Sequence, residues 1–168
     1  MKRTKPDPDE ARQFLGRYLP AKTRAELLQT RLQRLQDRAS GPRGPHLDGL
    51  PGAPRGTVGD PTGGLAQELI DTEDELREAT ATRDQIKAEI RRELNALPRE
   101  SETDERIVML LRARYFDGEL WSGINEILFG GEDDFEDEDR KESYLRRCHK
   151  LHHKALYELS KILMEDIQ

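Results

Sequence analysis

Between residues 143 and 154 the chain carries Ser143, Tyr144, Arg146, Arg147, His149, Lys150, His153 and Lys154, interleaved with Leu145, Cys148 and His152. The interleaved set continues through Ala155, Leu159 and Ile162 in alternate steps of three and four, the apolar stripe of an amphipathic helix. The polar set is then displayed away from that stripe. Arg and Lys on an exposed helix face reach phosphate oxygens or the acceptor edge of guanine, while Ser and Tyr hydrogen-bond to phosphate. Arg146, Arg147, Lys150 and Lys154 are therefore the principal candidates for contact with double-stranded DNA, with Ser143, Tyr144, His149 and His153 in support. A solvated basic face, or one paired with neighbouring acids, would use the same residues.

Two other chemistries are weaker. Cys148–His152 and His149–His153 each have the i,i+4 spacing with which a helix offers two metal ligands. However, the two pairs lie on different faces, and the remaining histidine, His46, is far away in a Gly/Pro-rich stretch, so no metal site is expected. For catalysis, the sequence contains no phosphate-binding Gly loop followed by Lys-Ser/Thr, no nucleophile elbow and no His-Glu-x-x-His. The acids from Glu132 to Asp139 are consecutive and lack the Gly-centred spacing of a calcium loop. Neither an enzyme nor a cofactor is expected.

A basic helix needs a scaffold, and the pattern supplies only helices. Ser101 and Asp104 have capping-box spacing and open a helix with Ile107, Leu110, Leu111 and Tyr115 on one face, which Asp117-Gly118 should end. A short helix with Trp121, Ile124, Ile127 and Leu128 follows and should stop at a left-handed Gly130-Gly131 cap. The basic helix then begins near Arg140. Two short helices and a basic third form the helix-turn-helix plan over about 101–165. Trp121, Ile124, Leu128, Leu110, Leu111, Tyr115, Leu145, Cys148 and Ala155 should fill its core.

Upstream, a helix is predicted from Pro8 to Ala39, interrupted at Pro20. Beyond Pro20, Ala25, Leu28, Leu32, Leu35 and Ala39 follow the 3.5-residue seam of a coiled coil. Leu65, Leu69, Thr72, Leu76, Ala79, Arg83, Ile86, Ile90 and Leu97 repeat it in a second helix that Pro98 closes. Between them, residues 40–64 hold eight Gly and five Pro, the composition of a flexible connection. A narrow stripe needs a partner, and a long antiparallel helical hairpin over 9–97 is the simplest one; pairing between two chains in a homodimer is the alternative.

The formal net charge of the 168 residues is −6, but its distribution matters more than its sum. Residues 1–39 balance at +5, 65–97 at −4, and 140–168 at +3, while Glu132–Asp139 holds seven acids and no base. An acidic loop over 130–139, beside a recognition helix, either points away from DNA, or masks the basic face until something displaces it, or marks a module that has lost DNA binding. The mean hydropathy of −0.90 and the lack of a long apolar run argue against a membrane span. A single cysteine and the absence of an apolar leader core point to the cytoplasm.

The run Leu110-Leu111-Arg112-Ala113-Arg114-Tyr115-Phe116-Asp117-Gly118-Glu119-Leu120-Trp121, then Ile124 and Leu128, resembles the opening of the promoter-binding fourth region of sigma factors. Leu151-His152-His153-Lys154-Ala155-Leu156 is similar to the end of that module. From about Ala21 to Ile162 the chain resembles short phage and prophage proteins with an N-terminal coiled hairpin, a Gly/Pro-rich connection and a sigma-like helix-turn-helix. The resemblance implies a transcriptional regulator of the late-gene activator type, in a bacterial host cell, with host RNA polymerase as a possible partner. The chain departs from that pattern at Gly130–Asp139, where the family has a turn of a few residues.

The expected fold is thus all-α, a long antiparallel hairpin followed by a three-helix helix-turn-helix module, and the expected function is sequence-specific DNA binding. Two other functions fit the same elements. One is a protein-interaction module whose hairpin and acidic run bind a basic partner or RNA polymerase; the other is a phage DNA-packaging adaptor, which requires a ring oligomer.

Overall fold

A computed structural model describes residues 5–41 and 61–165 of the chain. Most of the Gly/Pro-rich connection, 42–60, lies outside the described residues. The described residues are all-helical, with no strand among them: α1 (Pro8–Gly16), α2 (Tyr18–Ser40), α3 (Pro61–Ala96), α4 (Glu102–Arg112), a π-helical turn (Ala113–Asp117), α5 (Trp121–Phe129) and α6 (Glu138–Glu165).

Local chemistry explains the boundaries, including those that differ from expectation. Asp7 caps α1, its Oδ1 accepting the Asp9 N–H at 2.9 Å, and Pro8 takes the first helical position. The break after α1 falls at Arg17 rather than Pro20. Pro20 then sits in the first turn of α2, where a missing N–H has no helical acceptor to lose. Likewise α3 starts at Pro61, so the last four residues assigned to the connection are helical. Ser101 and Asp104 form the expected reciprocal capping box of α4.

The end of α4 widens into the π-helical turn, and Gly118 stops it at φ 75°, with the Gly118 and Glu119 N–H groups both donating to the Ala113 carbonyl. Gly130 is different. It has right-handed φ −62°, so the left-handed cap expected at Gly130-Gly131 does not form. A Cβ at Gly130 would lie 2.5 Å from the Glu126 carbonyl oxygen, and the close approach, not the sign of φ, asks for glycine there. Finally, α6 opens at Glu138, two residues before Arg140, because Asp137 Oδ1 accepts the Asp139 and Arg140 N–H groups at 2.9 and 3.2 Å. Glu138 and Asp139 thereby occupy a first turn, where the helix dipole favours acids.

The chain divides into two compact units, and the division falls at 20/21 and 83/84, not at the 97/101 boundary read from the sequence. The first unit comprises 1–20 and 84–168. Its single core joins Ala11, Leu15 and Tyr18, Ile90 and Leu94 of α3, and Leu97 just past its end, to the interior of α4, α5 and α6. Ile124, Leu110, Leu111, Cys148 and Ala155 are fully buried as expected, and Leu128 and Tyr115 nearly so; Trp121 and Leu145 are only half-buried. Arg17 and Glu89 pair at 3.0 Å.

The second unit, 21–83, is made from α2 and α3. Its buried residues Ala25, Leu32, Leu35, Thr72 and Ala79 are seam positions, whereas Ala39, at the end of the seam, is exposed. Arg31 and Glu68 join the two helices at 2.9 Å. Thr72 is buried at 1 % exposure, and its hydroxyl has no hydrogen-bond partner. No helix among the described residues is long and apolar enough to cross a membrane.

Candidate nucleic-acid interface

The candidate residues ride on α6, and the core fixes the face they share. Cys148, Ala155, Leu156 and Leu159 are fully buried, which rotates 143, 147, 150 and 154 outward as one stripe at helical spacing. Asn125 pins α5 against this helix. It is 6 % exposed, its Nδ2 donates to the Lys141 carbonyl at 3.1 Å, and its Oδ1 accepts from the Cys148 thiol at 3.7 Å. Burial pushes the Cys148 thiol up to about 11, so it stays protonated and unreactive.

The candidates divide according to their partners. Ser143, His149, Lys150, His153 and Lys154 are exposed. Arg146 is exposed but tied to Glu142 at 2.6 Å on its own helix. Arg147 lays its guanidinium 4.8 Å from the Phe129 ring centroid and 5.5 Å from that of Tyr144. Among the described residues Arg147, Lys150 and Lys154 have no carboxylate partner. His149 stands 4.3 Å from the Trp121 ring, which Arg114 also faces at 5.1 Å.

Tyr144 is a correction. It is buried at 8 % exposure instead of displayed, stacked on Phe129 at 4.8 Å and near Phe135, and its hydroxyl donates to Asp134. That hydrogen bond to the carboxylate raises its pKa above the ordinary phenol range. A side chain committed in this way holds the loop and has no group left for a phosphate.

The acidic run is fastened to the module at several points. Phe135, an aromatic among seven acids, is 8 % exposed and anchors the run in the core. Asp134 pairs with Arg140 at 3.2 Å, Glu136 and Glu138 with Lys141 at 3.5 and 3.4 Å, and Glu132 with Arg106 at 3.0 Å. The carboxylates thus engage the first turns of α6 and the start of α4, leaving most of the basic stripe unpaired.

Two clefts flank α6. On the α5 side, a cavity of about 690 Å³ is lined by Asn125, Glu126, Glu136, Glu138, Asp139, Lys141 and Glu142, among others, and is acidic. On the α4 side, one of about 570 Å³ is lined by Thr103, Arg106, Phe129, Arg147 and Lys150, with Glu102 and Glu132. The face able to receive an anion is therefore the one turned toward α4.

His152 belongs to the interior. It is half-buried and shares a 3.0 Å hydrogen bond with Tyr115. Burial, reinforced by nearby Arg12 and Arg114, lowers its pKa to about 4, so it is neutral at pH 7. No group of His, Cys, Asp or Glu able to hold a metal ion occurs among the described residues.

Phe129, Asn125 and Phe135 are the residues that sequence reasoning did not single out. Asn125 and Phe129 could have been found from spacing, since Trp121, Asn125, Leu128 and Phe129 repeat at helical intervals. Phe135 carries the simplest signal, an isolated aromatic in an otherwise ionised octapeptide. No protein-family model, curated protein or solved structure matches this chain.

Proposed function

We propose that the chain is a DNA-binding transcriptional regulator of phage type, acting in the cytoplasm of a bacterial host and catalysing no reaction. In this reading α4, α5 and α6 are a sigma-like helix-turn-helix module, and α2 and α3 pair as an antiparallel hairpin that also brings two chains together as a homodimer. The observation that carries it is the stripe of Arg147, Lys150 and Lys154, cations held outward on a firmly packed helix and left without carboxylate partners. Ser143, His149 and His153 flank it. Arg146, spent on Glu142, contributes less than Arg147. RNA polymerase is the natural second partner of a regulator built in this way.

The test is capture of fragments from the source genome by the purified protein, beside a variant carrying Arg147→Gln, Lys150→Gln and Lys154→Gln. Enrichment of a few sites that the variant loses supports a specific reader. Capture of no fragment by either protein overturns the proposal.

One observation favours a second reading, a protein-interaction module: the acidic cleft between α5 and the start of α6 lies where a recognition helix usually meets the major groove. A basic partner protein would fit that cleft, and a monomer without DNA affinity would then be expected. The packaging-adaptor reading needs a large ring, which light scattering distinguishes from a dimer.

A further inference from the structure

The cleft between the start of α4 and the middle of α6 combines features that neither helix has alone. Its floor is Phe129, 1 % exposed, with two guanidiniums, Arg106 from α4 and Arg147 from α6, each 4.8 Å from the ring centroid. The ring fixes both planar groups in place, so less side-chain entropy is lost when they grip a ligand. Lys150 and Thr103 complete the lining.

The two carboxylates in the cleft are spent on one cation. Glu102 at 2.6 Å and Glu132 at 3.0 Å both approach the same nitrogen, Nη2 of Arg106. Arg147 and Lys150 receive neither. The remaining N–H groups of Arg106 likewise have no partner among the described residues. Three cations from two helices thus line a cavity of about 570 Å³ in which the carboxylates engage Arg106 alone. Glu132 belongs to the acidic loop, whereas Glu102 belongs to α4 itself.

We propose that the cleft formed by Thr103, Arg106, Arg147 and Lys150 over Phe129 is a phosphoryl-group subsite, and that Glu132 occupies its Arg106 end as an internal competitor. Arg147 and Lys150 take the anion's oxygens, Arg106 turns its free N–H groups to it, and displacement of Glu132 removes the loop's carboxylate from the site, leaving Glu102 as Arg106's partner. The acidic loop then tunes anion affinity through one contact. The phosphoryl group comes from a duplex backbone or from a free polyphosphate. The duplex source rests on the function proposed above; the subsite itself does not.

Four full-length proteins separate these possibilities: the wild type, Arg147→Gln, Lys150→Gln and Glu132→Gln. Arg106 is left intact because its ion pairs hold α4 to the loop. Each protein is checked by thermal unfolding, then titrated with inorganic pyrophosphate and with a 20-base-pair duplex at low salt, and the duplex is tested as a competitor of pyrophosphate. Pyrophosphate binding should weaken severalfold in Arg147→Gln and in Lys150→Gln, and tighten roughly two- to fivefold in Glu132→Gln, the scale on which partly exposed ion pairs act. Competition by duplex assigns the site to the DNA backbone. Pyrophosphate binding with no duplex binding keeps the subsite and removes the DNA reader. Duplex binding that is indifferent to all three substitutions keeps the DNA reader and overturns the subsite. Failure to bind pyrophosphate and duplex alike overturns both.

Discussion

At the scale of single residues, burial has removed two apparently reactive groups from chemistry. Cys148 is inaccessible and protonated, so alkylation by iodoacetamide in native buffer should be limited by unfolding, and a rapid stoichiometric reaction would contradict its place in the core. His152 makes stability depend on pH with a definite sign. Its folded pKa of about 4 lies below the ordinary imidazole value, so between these limits the unfolded chain binds a proton that the folded chain refuses. Its contribution is complete above about pH 6.5 and is lost as pH falls toward 4, amounting to about 3 kcal/mol in full. Urea unfolding at pH 7.5 and pH 5 should show a smaller acid loss in His152→Phe than in the wild type; equal losses would place the histidine in water. The i,i+4 spacing of Cys148 and His152 was legible, and so was their place on the apolar face. Tyr144 was misplaced because helical periodicity fixes an angle around the axis but says nothing of a loop folded over that angle. Phe135 and Asp134 cover it there.

At the scale of elements, the helix boundaries follow from capping chemistry, and some of that chemistry was plain in advance. Ser101 and Asp104 announce a capping box by spacing alone, and Ser101→Ala should cost about 1 kcal/mol, measured by chemical unfolding. Gly118 is a harder constraint. With φ 75°, Gly118→Ala should cost about 1–2 kcal/mol, although Leu19, 3.6 Å from the added Cβ, leaves room for it. Gly130 looked like a second left-handed cap and is not one. Glycine types alone do not distinguish a need for positive φ from a need for close approach to a carbonyl. The start of α6 was similarly hidden, since an acidic run reads as a solvated loop until Asp137 is seen to cap the helix and Glu138 and Asp139 to lie in its first turn.

At the scale of the whole molecule, the all-helical class was legible from periodicity and from the absence of strand patterns. The division into units was not, because it depends on contacts between residues more than seventy positions apart. A seam repeat that continues smoothly from Leu65 to Leu97 gives no sign that Ile90, Leu94 and Leu97 enter one core with Leu15 and with α4 and α6. The 101–165 segment expressed alone should therefore unfold well below the full chain, with Leu15→Ala in the full chain costing about 2–5 kcal/mol. Equal melting temperatures for the fragment and the full chain would show that α1 and the end of α3 contribute nothing to the core. The charge map is also a whole-molecule property: acids engage Arg106, Arg140, Lys141 and Arg146, while Arg147, Lys150 and Lys154, on one face of α6, are left without a carboxylate among the described residues.

The most direct measurement is the salt dependence of duplex binding for the wild type and for the Arg147→Gln, Lys150→Gln, Lys154→Gln variant, read as the slope of log K against log salt. If the three cations neutralise phosphates, the variant's slope should be shallower by nearly three, since each phosphate contact contributes about 0.9. A variant that binds with the wild-type slope, or a wild type that binds no duplex at low salt, would contradict DNA recognition through α6.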